Sequence, residues 1–89
     1  MYKRDIYTVT ENRPLSAKTM LMVLEGDTQY ISSAGEFVNV AVEGKFLRRP
    51  ISICDYDEQT ITLLYDIVGE GTKIMSQLTP GSKLDLLTG

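Results

Sequence analysis

Apolar and polar residues alternate along several short stretches of the chain, and this period of two predicts β-strands. In residues 37–43, three valines at every second position fall on one face. Residues 60–68 alternate in the same way and place four apolar side chains on one face: Ile61, Leu63, Tyr65 and Ile67. Both stretches therefore predict strands with one buried face.

Four other stretches are predicted to be strands from their composition and boundaries: residues 5–13, 17–25, 49–56 and 83–87. The first mixes β-forming and polar residues, which is typical of an edge or half-buried strand. The apolar run at 17–25 fits a strand and a buried helix equally well by its periodicity. We favour a strand because Gly26 and Asp27 end the run after about nine residues.

One short helix is predicted between the last two strands, where three apolar residues have the one-sided spacing of two helical turns: Ile74, Met75 and Leu78. Thr72 is the expected N-cap, because its hydroxyl can accept a hydrogen bond from a free N–H of the first turn. Pro80 and Gly81 end the helix. Glycines and small polar residues predict a loop and a turn elsewhere, at residues 26–36 and 43–45.

Six short strands and one small helix predict an all-β fold, a closed antiparallel barrel of six strands. Closure removes the exposed edges that an open sheet of this size would carry. The 89 residues are enough for one domain. Because the sequence stops two residues after a strand, we expect this domain to be part of a longer protein.

Composition excludes several classes of function. The net charge of −3 provides no basic surface for a nucleic-acid backbone. The chain has no histidine and one cysteine, so a disulfide, a zinc site and a Ser/His/Asp triad are all excluded. These features, with no apolar run long enough for a membrane span or signal peptide, favour a cytoplasmic location.

The first candidate binding stretch is Arg48-Arg49-Pro50-Ile51-Ser52. Proline disfavours the helical conformation of the residue before it, so Arg49 is extended at the start of a strand. A guanidinium can donate two parallel hydrogen bonds to a diphosphate, and a serine hydroxyl can donate or accept. Strict alternation places Arg49 and Ser52 on opposite faces, so a shared ligand requires an irregular strand start or main-chain contacts.

The second candidate stretch is Gly69-Glu70-Gly71-Thr72. Its glycines allow a phosphate to approach the backbone closely. A helix that begins at Thr72 would direct free N–H groups at the anion, and Lys73 adds positive charge. Taken alone, each stretch favours the structural interpretation, an ordinary strand start or a turn and helix cap; the order and spacing of the two stretches favour binding.

The remaining reactive side chains have structural interpretations. Cys54 is expected to be a small buried apolar group, because no neighbouring base would activate it. Tyr65 is expected to be part of the core or the barrel wall rather than a stacking platform for a ligand. Met20 and Met22 are expected to fill the core. The carboxylates form no pair suited to acid–base chemistry, so no catalytic residue is assigned.

Together the two stretches resemble the flavin-binding barrel of the ferredoxin reductase superfamily, and most closely its family of electron-transfer subunits of NAD-dependent bacterial dihydroorotate dehydrogenases. The resemblance extends over nearly the whole chain and rests on four segments: residues 35–40, 46–53, 64–72 and 78–81. It implies a Greek-key barrel that binds FAD. It also implies electron transfer from an FMN-containing catalytic subunit, through a 2Fe–2S cluster, to FAD and NAD⁺ in pyrimidine biosynthesis.

The resemblance also implies which residues bind the cofactor. Arg49, Pro50, Ile51 and Ser52 would line the pyrophosphate and isoalloxazine. Leu64, Tyr65 and Asp66 would flank the flavin and the ribityl or adenine side. Phosphate oxygens would be held by Gly71 and Thr72.

Three departures from the family limit what the chain can do alone. It lacks the nicotinamide-binding domain and the cysteine cluster for iron–sulfur, and Asp66 stands where many relatives carry a basic residue. Binding of FAD alone is therefore expected, with no activity of the isolated chain. A homo-oligomer is expected too, since loss of a neighbouring domain would expose apolar surface. Alternatives are the FAD barrel of another reductase-like oxidoreductase or a non-enzymatic binding barrel.

Overall fold

A computed structural model describes residues 3–42, 44 and 48–88 of the protein. Seven elements follow one another along the chain: β1 (Lys3–Pro14), β2 (Thr19–Glu25), β3 (Phe37–Val40), β4 (Arg49–Tyr56), β5 (Thr60–Asp66), α1 (Glu70–Ser76) and β6 (Lys83–Thr88). The turn predicted at 43–45 involves Glu43 and Lys45, which lie outside the described residues.

The six strands close into an antiparallel barrel in the order β1-β2-β5-β4-β3-β6. Strands β3, β4 and β5 follow one another in sequence and pair with one another in turn. A long connection joins β2 to β3, and β2 pairs with β5, so these four strands form a Greek key. The predicted fold class is therefore confirmed. The first strand is not an edge, because it pairs with β2 and with β6.

Alternation places the core as predicted for β3 and β5. Val38, Val40, Ile61 and Leu63 are fully buried, while their neighbours in sequence are partly or fully exposed. Met20 and Met22 also belong to the core. Since antiparallel strands bury one face only, these side chains fill the barrel interior and leave the other face to solvent.

The helix differs from the prediction at its start. It begins at Glu70, with Gly69 as the N-cap, and Thr72 occupies the third helical position. The Thr72 hydroxyl accepts hydrogen bonds from the N–H groups of Val68 and Gly69, at 2.9 and 3.2 Å. Thr72 therefore caps the turn from inside the helix, because its side chain reaches back toward the N-cap.

The prediction of a buried Cys54 was wrong. The thiol is exposed, because Ile51 and Ile53 take the inward positions of β4. The register between β4 and β5 also shifts between Ile53 and Asp55, so Cys54 is the extra residue of a β-bulge.

The helix closes one end of the barrel. Met75 is the one residue of α1 that belongs to the fully buried core, and Ile74 and Leu78 pack against that core. Within the described residues, no helix is long and apolar enough to cross a membrane.

Candidate functional site

Strands β4 and β5 separate at one end of the barrel. Their register runs from Tyr56 opposite Ile61 to Ile53 opposite Leu63 and ends there. Beyond that point residues 49–52 of β4 pair only with β3, and residues 64–66 of β5 pair only with β2. The main-chain edges that face each other across this gap have no strand partner, so they offer donors and acceptors to a ligand.

An open cleft of about 360 Å³ lies at this gap, a volume typical of small-molecule sites. Nine residues line it: Arg49, Pro50, Ile51, Ser52, Leu64, Tyr65, Asp66, Val68 and Thr72. Eight of them are residues that the sequence predicted for the site. The ninth is Val68, which is 77% exposed and to which the sequence analysis assigned no binding role.

The two adjacent arginines have different surroundings. Arg48 is partly buried, and it donates to the main-chain oxygens of Asn39 and Asp85 at 3.2 and 3.3 Å and to the Asp85 carboxylate at 3.1 Å. Burial raises the pKa of Asp85, but hydrogen bonds from Arg4 and Arg48 outweigh this and keep the pKa below its usual value. Arg48 therefore joins β4 to β3 and β6.

Arg49, by contrast, is exposed, and its guanidinium has no hydrogen bond or ion pair with any described residue. It occupies the first position of β4, where the strand meets the cleft. A cation without a partner at the mouth of a cleft is available for an anionic ligand. The strand start also explains how Arg49 and Ser52 both reach the cleft although alternation separates them.

Gly71, the predicted residue that does not line the cleft, lies directly against Arg49. A Cβ atom at Gly71 would come within 2.8 Å of Arg49 Nε, and one at Gly69 would lie 3.6 Å from Arg49 Nη2. The guanidinium therefore extends over the turn that opens α1. The structure thus brings the two candidate stretches together, and their binding role remains a prediction.

Thr72 has no donor or acceptor position left on its hydroxyl for a hydrogen bond to a phosphate. Besides accepting two N–H groups, its hydroxyl donates to the Gly69 oxygen at 3.1 Å, and the residue is 4% exposed. A hydroxyl has one donor and two acceptor positions, and all three are used here. Any contact from Thr72 to a ligand would therefore come from its main-chain N–H.

The β5 side of the cleft presents a mixed surface. Leu64 is 39% exposed and Tyr65 only 5%, since they point to opposite faces of the strand. The Asp66 carboxylate is exposed and accepts a hydrogen bond from the Thr19 hydroxyl at 2.8 Å. On this wall Leu64 therefore suits contact with an aromatic ring, and the Asp66 carboxylate suits hydroxyl donors. Neither side chain suits a phosphate.

Tyr65 stands inside the barrel wall, with its hydroxyl 3.0 Å from Asn12 Oδ1. Asn12 Nδ2 in turn donates to the main-chain oxygens of Met75 and Leu78, both at 2.9 Å. Burial raises the pKa of Tyr65 to about 12, although the hydrogen bond to Asn12 acts in the opposite direction. No sequence motif marks Asn12.

The raised pKa of Tyr65 predicts a loss of stability in alkali. An unfolded tyrosine ionises near pH 10, so the stabilisation is complete below pH 10 and is lost as the pH rises toward about 12. We expect the free energy of unfolding to fall by about 2–3 kcal/mol over this range because of this residue. Denaturant unfolding at several pH values measures this fall in the free energy of unfolding. Tyr65→Phe should flatten the dependence, and parallel curves for the two proteins would contradict the prediction.

Gly71→Ala should separate stability from ligand binding. Alanine favours a helix over glycine by about 1 kcal/mol, so thermal stability should hold or rise. The added methyl group would push Arg49 aside, and FAD affinity should fall roughly tenfold, as for loss of one charge-assisted hydrogen bond. Gly69→Ala is the matched control, because its methyl group would sit at an ordinary 3.6 Å contact. Equal affinities of the two variants would argue against the prediction.

In the described residues, no group of three or more cysteine, histidine, aspartate or glutamate side chains could hold a metal ion. Two ion pairs, Arg4 with Asp85 and Arg13 with Glu11, involve acidic side chains of the described residues.

The chain is similar to curated electron transfer subunits of dihydroorotate dehydrogenase B (NAD(+)). It is 42% identical to that of Streptococcus mutans over 91 aligned positions, covering 98% of this chain and 35% of the relative. The Fusobacterium nucleatum protein is 38% identical, with 90% and 33% covered. The chain thus spans about a third of the length of these relatives. No protein-family model matches it.

Two solved structures share the fold at low sequence identity. A siderophore utilization protein from T. fusca superposes with a TM-score of 0.78 at 16% identity, covering 97% of this chain and 44% of that one. A flavohemoglobin from Malassezia yamatoensis, solved with bound FAD and heme, gives 0.74 at 18% identity, covering 97% and 25%. They support the barrel architecture.

Proposed function

The chain is a homologue of about one third of the dihydroorotate dehydrogenase B electron transfer subunit, and on this basis we propose that it is an FAD-binding domain of such a subunit. The observation that carries the proposal is the position of Arg49. Its guanidinium, which bonds none of the residues that the structure describes, lies over Gly69 and Gly71, at the mouth of the cleft that opens between β4 and β5.

The described residues fit a flavin dinucleotide in three respects. A diphosphate would meet the Arg49 fork and the first N–H groups of α1, which have no partner within a helix. The main-chain groups of Ser52, which alternate with those of Ile53 and so face the gap, would meet the polar rim of an isoalloxazine, which both donates and accepts. Leu64 and Val68 supply apolar contact, and Asp66 can accept hydrogen bonds from ribityl or ribose hydroxyls.

The chemistry proposed for the whole subunit is electron transfer. Bound FAD would supply the carrier between an FMN-containing catalytic subunit and NAD⁺, and the chain's residues would position it and set its electrostatic surroundings. The proposal gives this chain the flavin alone. Its single cysteine cannot ligate a 2Fe–2S cluster, and the groups for nicotinamide would come from elsewhere in the subunit.

Titration of FAD into the purified chain tests the proposal. Binding should quench or shift the flavin fluorescence, change the shape of its visible absorbance bands and raise the melting temperature with FAD concentration. Riboflavin, which lacks phosphate, is the control, and it should bind more weakly because Arg49 and α1 would have no anion to contact. An unchanged melting temperature together with unchanged flavin spectra would refute the proposal.

A non-enzymatic barrel that binds nucleic acid is less well supported. Single-stranded nucleic acid needs a positively charged groove and exposed aromatic platforms. Phe37 and Tyr30 are exposed, but Asp66 places an anion in the cleft and the chain carries a net charge of −3, so the positively charged groove is missing. The structure thus favours a compact anion such as a dinucleotide.

A further inference from the structure

Asn12, on β1, is hydrogen-bonded through its side chain to both elements that border the cleft, β5 and α1. Its side chain bonds the Tyr65 hydroxyl, on the strand that forms one cleft wall, and the oxygens of Met75 and Leu78, at the end of the helix whose start faces Arg49. All three bonds are 2.9–3.0 Å long. One amide group therefore links β1, β5 and α1.

A β-bulge places this side chain inside the barrel. The register between β1 and β2 shifts between Val9 and Glu11, which leaves Thr10 as the extra residue. Val9 is buried, and strict alternation would turn Asn12 to the opposite face. After the bulge, Asn12 lies opposite the fully buried Met22, so both point inward. Bulges often re-aim a side chain in this way.

Besides Asn12, the helix is attached to the barrel by apolar packing of Met75, Ile74 and Leu78. It has seven residues, too few to be stable by itself. At its start the Thr72 hydroxyl holds the N-terminal turn, and in the middle Met75 is buried in the core. Asn12 bonds the Met75 and Leu78 oxygens at the helix end; the Met75 oxygen also accepts the Leu78 N–H at 3.1 Å. Loss of Asn12 would leave apolar packing alone to hold the end of α1, so the Gly69–Thr72 turn could shift relative to Arg49.

We propose that Asn12 is a positioning residue for the cofactor site: it fixes α1 against β5, so that the helix start and Arg49 face the same diphosphate. The inference rests on the proposed function for its consequence in binding. Its structural content, a coupling between Asn12 and the Gly69–Thr72 turn, stands independently of the ligand. Every buried side-chain polar atom of the described residues has a hydrogen-bond partner, so removal of Asn12 leaves real deficits.

The test compares Asn12→Ala with Thr28→Val. Thr28 is 7% exposed and donates to the Asp57 oxygen at 2.7 Å, at the end of the β4–β5 hairpin opposite the cleft. Both changes remove buried hydrogen bonds and should lower the melting temperature. Only Asn12→Ala should shift the NMR signals of the Glu70–Thr72 amides in the free chain. Only this variant should also weaken FAD binding roughly tenfold, which is the cost of misplacing one charge-assisted contact.

Asn12→Ser serves if the alanine variant does not fold. Its shorter side chain cannot bridge Tyr65 and both carbonyls at once, so smaller changes of the same kind are expected. Unmoved Glu70–Thr72 amides, or equal FAD affinities of the folded Asn12 and Thr28 variants, would overturn the inference. If the wild-type chain binds no FAD but the amides move in the Asn12 variants alone, the proposed function fails and the coupling stands.

Discussion

Replacing Arg49 with alanine is expected to weaken FAD binding by about 2–4 kcal/mol, a range for loss of one partner of a desolvated charge pair. This corresponds to a roughly 30- to 1,000-fold rise in the dissociation constant. The stability of the free chain should change little, because the exposed guanidinium bonds no described residue. Flavin fluorescence titration gives the affinity, and a thermal melt without FAD gives the stability.

Arg48→Ala is the matched control for this prediction. It removes the same charge one residue away, so the long-range electrostatic effect on an anion is nearly equal. Arg48, however, is bonded to Asn39 and Asp85, so its loss should lower stability and leave most of the FAD affinity. If both variants lose equal affinity, general charge accounts for binding. Full affinity in Arg49→Ala would remove this residue from the site.

The second large effect is expected at Met75, which anchors the helix in the core with 0% exposure. Met75→Ala would remove three heavy atoms and leave a cavity, at a cost of about 2–5 kcal/mol. Domains have in total only about 5–15 kcal/mol of stability, so the variant should unfold at a much lower denaturant concentration. Urea unfolding followed by circular dichroism measures the change.

Gln77→Ala is the control for Met75, since this side chain is exposed at the C-cap of the same helix. It should change the free energy of unfolding by no more than about 0.5 kcal/mol. A Met75 variant with a midpoint equal to that of Gln77→Ala would show that the helix contributes little to the core. The slope against urea should stay constant in both if unfolding remains two-state.

Sequence patterns predicted the strands and the fold class because burial of one face imposes a period of two. The valines of β3 and the alternating residues of β5 are buried as expected. The resemblance to dihydroorotate dehydrogenase electron-transfer subunits, which the similar proteins confirm, also rests on local residues. Eight of nine predicted site residues lie around one cleft. Continuity in sequence keeps the residues of each stretch together, and the fold brings the two stretches to the same cleft.

Two predictions missed local signals. Cys54 is exposed because Ile51 and Ile53 take the inward positions of β4, and Thr72 caps from within the helix because Gly69 adopts an extended conformation. A distant partner decides the third difference. The adjacent arginines look alike in the sequence. Arg48 is fixed by Asp85, 37 positions later, and Arg49 is left for a ligand.

The sequence by itself determined which segments are strands and which residue types could meet a diphosphate, because both follow from neighbours a few positions apart. Tertiary structure alone decided where the β4–β5 ladder ends and which of the two arginines has no partner within the described part of the chain. It also turned Asn12 inward through a bulge, to join Tyr65, 53 positions later, and the end of α1. Such choices depend on closure of the barrel, which brings together groups that no local period relates.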